Sequence, residues 1–131
     1  MDRRIVSPPG LAAPKGHYSH GVVVSASETL YVAGQVPLDS NGDLVGPGDP
    51  AAQAEQVLEN LRTVVEAAGG SLEDIARTSV FLVDLEHRAA VGEVRRRFFS
   101  GAPPANTLLV VQSLASPDFL VEIEAIVPLP D

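Results

Sequence analysis

The chain has 131 residues, of which 45% are hydrophobic and 20% charged, a composition that is ordinary for one globular domain. Its formal net charge of −8 disfavours nucleic acid as a partner, because phosphates repel an acidic chain unless its few cations cluster. The lack of cysteine excludes disulfides and zinc–thiolate sites, and no apolar run reaches the ~20 residues that a membrane span needs. We therefore expect one domain over residues 1–131 in the cytoplasm, with no membrane partner.

Six segments are predicted strands, because each is rich in valine, leucine, isoleucine or phenylalanine and is bounded by turn residues. They span residues 4–7, 21–25, 30–33, 78–84, 107–112 and 120–127. Residues 25–29 are predicted to join the second and third strands as a hairpin.

Two helices are predicted between these strands. In residues 50–68 apolar side chains recur at three- and four-residue steps, with Asp49 as the N-cap and Pro50 at the first helical position. The second helix spans about residues 86–99, and its predicted buried side consists of Ala90, Val91, Val94 and Phe98.

The order of the elements predicts an α+β fold in which both helices pack on one face of a mixed sheet. The other face also needs a cover, because several strands are apolar on both sides. A second copy of the chain would supply that cover, so we expect a homo-oligomer.

The only basic run is formed by the three arginines at residues 95–97, within the second helix. We interpret it as a solvated helix face, and a phosphate-binding patch is the alternative.

Two glutamates interrupt the apolar last strand. In a strand alternate side chains point the same way, so Glu122 and Glu124 share one face, about 7 Å apart. Two carboxylates so close in a partly dry place repel each other, and we expect one to have a raised pKa or a cationic partner. A general base is one interpretation of such a pair. The alternatives are two solvent-facing side chains, or an ion pair with an arginine such as Arg77.

His17 and His20 are the candidate metal ligands, but no carboxylate lies near them in the sequence. We therefore expect no metal site.

Several stretches resemble the Rid family, also called the YjgF family or the reactive intermediate deaminases. They are GHYSHGV from Gly16, LYVAGQVPLDSNGDLV from Leu30, the run from Ala51 to LVDL, FF followed by PPAN, and VEIEAIV from Val121. The resemblance implies a fold like that of bacillary chorismate mutase, with a mixed six-stranded sheet and two helices on one face. It also implies a homotrimer with ligand clefts between subunits.

The best-known members of that family hydrolyse enamines and imines to keto acids and ammonia without a cofactor. The resemblance implies an arginine that grips the substrate carboxylate, a glutamate that orients a water, and a tyrosine and a hydroxyl residue that complete the pocket. Tyr18 matches the tyrosine and Glu122 the glutamate, while Gly34 and Gln35 match their motif.

The sequence departs from the family pattern at four positions. Asn106 stands where the family has the arginine, and Ala33 where a serine or threonine is common. Gly92 replaces an asparagine and His17 a proline. The predicted site therefore has Glu122 as the catalytic residue, and its substrate-binding residues are Tyr18, Ala33, Gly34, Gln35, Asn106 and Leu108.

Loss of the arginine weakens the expected affinity for a substrate carboxylate by about 100-fold, at 1.5–3 kcal/mol per charged hydrogen bond. We therefore expect a trimer that acts on a small imine, enamine or activated carbonyl metabolite, with ordinary 2-imino acid deamination weak or absent. A metabolite-binding trimer without catalysis is the main alternative, and an endoribonuclease or translation inhibitor is less favoured. His17 or His20 could supply the missing positive charge.

Overall fold

The computed structural model describes all residues, 1–131. Its strands are β1 (Arg3–Val6), β2 (Gly21–Val24), β3 (Glu28–Gln35), β4 (Arg77–Leu82), β5 (Ala105–Val110) and β6 (Val121–Leu129), and its helices are α1 (Pro50–Ala67) and α2 (Arg88–Phe98). Single 3₁₀ turns precede β4 at Leu72–Asp74 and α2 at Leu85–His87. Neither helix combines the length and the hydropathy that crossing a bilayer requires.

Four strands form the main sheet, in the order β3-β6-β4-β5. The β4–β5 pair is parallel and is connected through α2, whereas β6 runs antiparallel to both of its neighbours. The predicted six-stranded sheet is wrong, because β1 and β2 form a separate antiparallel pair. One isolated bridge, Ser19 to Ala105, links the segment before β2 to the edge of β5.

The predicted hairpin at residues 25–29 is also wrong, since β2 pairs with β1 and not with β3. The reason lies in the sheet order. The backbone N–H of Ser19 donates to the Pro104 carbonyl, which holds the chain before β2 beside the β5 edge. Strand β3 lies at the opposite edge, where it pairs with β6 from Glu28 onwards, so residues 25–27 connect two strands that are not neighbours.

Helix α1 forms where the sequence predicts it. Asp49 accepts a hydrogen bond from the Ala52 backbone N–H at 3.1 Å and so caps the first turn, and Pro50 occupies the first helical position. The helix ends before Gly69, whose φ of +91° is a left-handed conformation that glycine adopts without steric cost. Its apolar stripe is fully buried and consists of Ala54, Val57, Leu58, Leu61 and Val65.

The hydrophobic core lies between the two helices and one face of the main sheet. Alternate residues of β6, from Val121 to Val127, are buried on this face, as the period of a strand requires. The other face has no cover within one chain. Tyr31 is 75% exposed there, and Leu109 and Ile126 are also exposed.

A buried glutamine joins α1 to two loops. The Gln53 side chain has no exposed surface, and its amide donates to the Gly46 and Asp118 carbonyls at 3.1 and 3.0 Å. Its carbonyl accepts from the Leu120 backbone N–H at 2.8 Å, immediately before β6. One buried side chain therefore satisfies three backbone groups and fixes the start of the strand that contains Glu122.

We expect Gln53→Met to lower the free energy of unfolding by about 2–4 kcal/mol, because a side chain of similar size leaves those three backbone groups without partners. Chemical denaturation at one protein concentration measures this loss. Gln56→Met is the matched control, since Gln56 donates only to Asn60 and is partly exposed. Equal losses in the two variants would contradict the role of Gln53.

Candidate functional site

A cavity of about 790 Å³ lies on the helix side of the main sheet. Its walls are residues 15–18, helix α2 with the turn before it, and the first half of β5. Ser19 positions the first wall, because its hydroxyl donates to the Pro103 carbonyl at 2.6 Å. The predicted site residues Tyr18, Asn106 and Leu108 all line this cavity.

Asn106 belongs to a hydrogen-bonded pair across two strands. It lies opposite Thr78 in the β4–β5 register, and the Thr78 hydroxyl donates to the Asn106 amide oxygen at 2.6 Å. Thr78 is fully buried. Its hydroxyl is therefore held, and Asn106 presents a neutral polar group to the cavity.

The cavity also contains a buried guanidinium, that of Arg95. The side chain is 5% exposed and donates to the Thr78 hydroxyl at 3.3 Å and to the His17 carbonyl at 3.4 Å. Its Nε atom is buried without a hydrogen-bond partner, and its Cζ lies 5.6 Å from the centre of the Phe99 ring. Burial lowers the pKa of Arg95 to about 10, so the group remains charged at neutral pH.

The interpretation of residues 95–97 as a solvated face is therefore wrong for Arg95 and holds for its two exposed neighbours. The helical period explains the difference. Position 95 is four residues after Val91, which is buried, and three before Phe98, so its side chain leaves the helix on the inward side. The spacing of position 95 thus indicates a buried side chain, whereas the run of three arginines favours a solvated face.

The two histidines lie in different surroundings. His17 lines the cavity, and its Nε2 atom lies 2.6 Å from the Phe99 carbonyl, so it is the donor in that bond. His20 is exposed and donates to the Ala12 carbonyl at 2.7 Å, with its ring edge-on to Tyr18 at 5.9 Å between centres. Neither histidine ring is hydrogen-bonded to Asn106 or Thr78, whereas Arg95 is bonded to Thr78.

Three of the remaining predicted site residues, Glu122, Ala33 and Gly34, lie towards the other face of the sheet, whereas Gln35 pairs with Ile123, whose side chain is buried against the helices. Glu122 faces away from the helices, because its neighbours Val121 and Ile123 are buried against them. Ala33 and Gly34 fall in a β-bulge of β3, between Val32 and Gln35 of the β3–β6 register. Within one chain, the sheet therefore lies between Glu122, Ala33 and Gly34 on one side and the cavity on the other.

Gly34 makes room for the Glu122 side chain. A β carbon at position 34 would lie 2.7 Å from the Glu122 carboxyl carbon and 2.9 Å from its γ carbon. Burial, and secondly the charge of Glu124, raises the pKa of Glu122. Arg77 forms no ion pair with either glutamate and instead donates to Thr107 at 2.8 Å. The Glu122 carboxyl therefore lies against Gly34 without a cationic partner.

No group of three or more histidine or carboxylate side chains is arranged to hold a metal ion. The chemistry available is that of a carboxyl group with a raised pKa on one face, and of a guanidinium with neutral donors on the other. The carboxyl group suits proton transfer, and the guanidinium with its neutral neighbours suits recognition of a polar ligand.

We expect the Glu122 carboxyl to titrate above the ordinary glutamate range in ¹³C NMR spectra. Glu124→Gln should lower its midpoint without restoring the ordinary value, because burial is the larger cause. Glu55→Gln, at an exposed position on α1, is the matched control and should leave the midpoint unchanged.

The same shift sets the sign of a stability change. The folded state binds the Glu122 proton more tightly than the unfolded state, so this group's contribution to stability falls as pH rises from ~4.3 through the raised pKa. Glu122→Gln should therefore raise the melting temperature at pH 7 and leave it unchanged below pH 4. A decrease at pH 7 would contradict the raised pKa.

Comparisons with known proteins agree on one family. A family model described as Endoribonuclease L-PSP matches residues 10–129. The crystal structure of YyfB from Yersinia pestis, a Rid family protein of unknown function, has a TM-score of 0.91 to this chain. It is 39% identical, covering 98% of this chain and 100% of that chain.

RidA from an Antarctic Psychrobacter has a TM-score of 0.74 at 35% identity, covering 96% of this chain and 99% of its own. A putative endoribonuclease from Thermotoga maritima has the same TM-score and identity, covering 98% of each chain. The α+β architecture, with two helices on one face of a mixed sheet, is the one that these relatives share. Since the family model spans most of the chain and Rid proteins match nearly all of it, the chain belongs to the Rid family.

Proposed function

We propose that this chain is a cofactor-independent hydrolase of small imine, enamine or activated carbonyl metabolites. The observation that supports this most is Glu122, a carboxyl with a raised pKa that is held against Gly34 with no cationic partner. A base with a pKa nearer to neutrality takes and returns a proton more easily than an ordinary carboxylate.

The proposed reaction needs only water as a co-reactant. Glu122 accepts a proton from a water molecule, whose oxygen forms a bond to the imine carbon while the C=N π electrons move to nitrogen. Glu122 returns the proton to nitrogen, which gives a neutral amino alcohol. The hydroxyl proton then passes through Glu122 to the amino nitrogen, the C–N bond breaks, and ammonia leaves as the carbonyl forms.

The proposed site needs two copies of the chain. Glu122 and Gly34 lie towards the β3 edge on the uncovered face, whereas Tyr18, Asn106 and Leu108 lie at the β5 edge on the helix side. If the β3 edge of one copy lies beside the β5 edge of the next, the two groups meet. Repetition of such a head-to-tail contact closes a ring.

A homotrimer is the ring that we propose. The exposed Tyr31, Leu109 and Ile126 on the uncovered face support it, because a second and third copy would remove them from water. In the ring, Ala33, Gly34 and Gln35 of one copy would contact the substrate together with Tyr18, Asn106 and Leu108 of its neighbour.

We propose that ordinary 2-imino acids are poor substrates. At the β5 edge, Asn106 offers a neutral amide to a carboxylate attached directly to the reacting carbon. The Arg95 guanidinium is bonded to Thr78 on β4, one strand further from that edge. The cavity therefore contains a cation, but one that lies too far from the edge to bind a carboxylate attached to the reacting carbon.

A metabolite-binding trimer without catalysis is the second candidate. It is favoured by Ala33 and Gly92, which place no hydroxyl or amide side chain where the family commonly has one. An endoribonuclease activity is disfavoured by the net charge of −8.

We expect Glu122→Gln to lower the rate of imine hydrolysis by about 100-fold or more, because the amide cannot take a proton from water. Hydrolysis is measured with imines generated in situ by an amine oxidase, and ligand binding by calorimetry. Glu124→Gln is the matched control, one residue pair away on the same strand face, and should retain most of the rate. A Glu122→Gln variant with unchanged turnover would contradict the hydrolase proposal. Wild-type binding without any turnover would favour the second candidate.

A further inference from the structure

Arg95 is a buried cation without a counter-ion. The chain's one ion pair joins Arg62 to Glu59, so no carboxylate lies within ion-pairing distance of the Arg95 guanidinium. Of the five N–H donors of the guanidinium, two form long hydrogen bonds to neutral oxygens and the Nε donor has no partner. A buried charge left in this way is costly unless something else neutralises it.

The cavity around Arg95 is positive although the chain is acidic. Four cationic side chains line it, from Lys15, Arg88, Arg95 and Arg96. Only two carboxylates do so, those of Glu86 and Glu93. A positive cavity within a chain of net charge −8 attracts a small anion and concentrates it at the buried guanidinium.

We propose that Arg95 binds the carboxylate of a small carbonyl or imine ligand, and that this carboxylate is separated from the reacting carbon by a spacer of methylene groups. The inference rests on the proposed function in taking this cavity as the place where the ligand binds. This proposal assigns the anion-binding role to Arg95 on helix α2, a residue that the sequence analysis interprets as part of a solvated face.

A carboxylate suits this site better than a phosphate. The guanidinium is a planar fork of donors. Each of its two terminal nitrogens forms one hydrogen bond within the chain and keeps one free N–H, and two such donors match the two oxygens of a carboxylate. Two neutral groups are bonded in series to the guanidinium. The Thr78 hydroxyl is fully buried and already hydrogen-bonded, and the Asn106 amide beyond it adds hydrogen-bonding capacity but no charge. The other arginines of the cavity are exposed, so a dianion would find one buried cation rather than a cluster.

The spacer follows from the position of the charge in the sheet. Arg95 is bonded to Thr78 on β4, and Asn106 lies on the neighbouring strand β5, at the edge. Adjacent strands are about 4.8 Å apart. The proposed Glu122 of the next copy would act at the β5 edge. A carboxylate bound to Arg95 lies about one strand spacing further from that edge than a carboxylate bound to Asn106, and the spacer bridges this difference.

The test is direct binding of stable oxo acids to the full chain, measured by calorimetry and without turnover. The probes are pyruvate, 4-oxopentanoate and 5-oxohexanoate, with 2-pentanone as the neutral ketone and inorganic phosphate as the competing anion. We expect 4-oxopentanoate or 5-oxohexanoate to bind more tightly than pyruvate. Arg95→Met should weaken their binding by about 10- to 100-fold and leave that of 2-pentanone unchanged.

Arg97→Met is the matched control, because Arg97 carries the same charge on the same helix, is exposed and does not line the cavity. It should change affinity by less than about 3-fold, since an exposed charge is screened. If Arg95→Met does not fold, Arg95→Lys keeps the charge, removes the fork and should still lose part of the affinity.

Equal losses in the Arg95 and Arg97 variants would overturn the proposal, and so would unchanged affinity in Arg95→Met. Pyruvate binding as tightly as the longer acids would overturn the spacer, and tighter binding of phosphate would overturn the ligand class. None of these outcomes depends on Glu122. Failure of the hydrolase proposal can therefore be distinguished from failure of the anion-site proposal.

Discussion

The chain of hydrogen bonds from Arg95 through Thr78 to Asn106 determines what the cavity can recognise. It links helix α2 to two neighbouring strands and holds a charged guanidinium where almost no water reaches it. Contact with the Phe99 ring and two neutral oxygens compensates that charge only in part. A ligand with a negative group would complete the compensation, so burial of this side chain favours binding of an anion.

The sheet order imposes a second constraint on function. Glu122 and the cavity belong to opposite faces and lie towards opposite edges, and no rearrangement of side chains within one chain brings them together. Any chemistry that uses both groups requires another copy of the chain. The uncovered apolar side chains on the Glu122 face favour the same assembly. In this proposal, the contact that buries them also completes the active site.

Much of this fold could be predicted from local sequence patterns. The Asp49 cap, the apolar stripe of α1 and the alternation in β6 gave helix and strand positions close to those in the structure. Sheet membership of β1 and β2 could not be predicted, because it depends on the contact between Ser19 and Pro104, which are 85 residues apart in sequence. The inward direction of Arg95 follows from its helical spacing to Val91, but its bond to Thr78 could not be predicted, because those residues meet only in the folded chain.

The most direct measurement is a crystal structure of the assembled protein with bound 4-oxopentanoate. We expect both carboxylate oxygens to lie within hydrogen-bonding distance of the Arg95 guanidinium, with the carbonyl carbon directed towards Glu122 of a neighbouring copy. A carboxylate bound only at Asn106, or an Arg95 guanidinium that stays without an anion in the occupied site, would contradict the assignment.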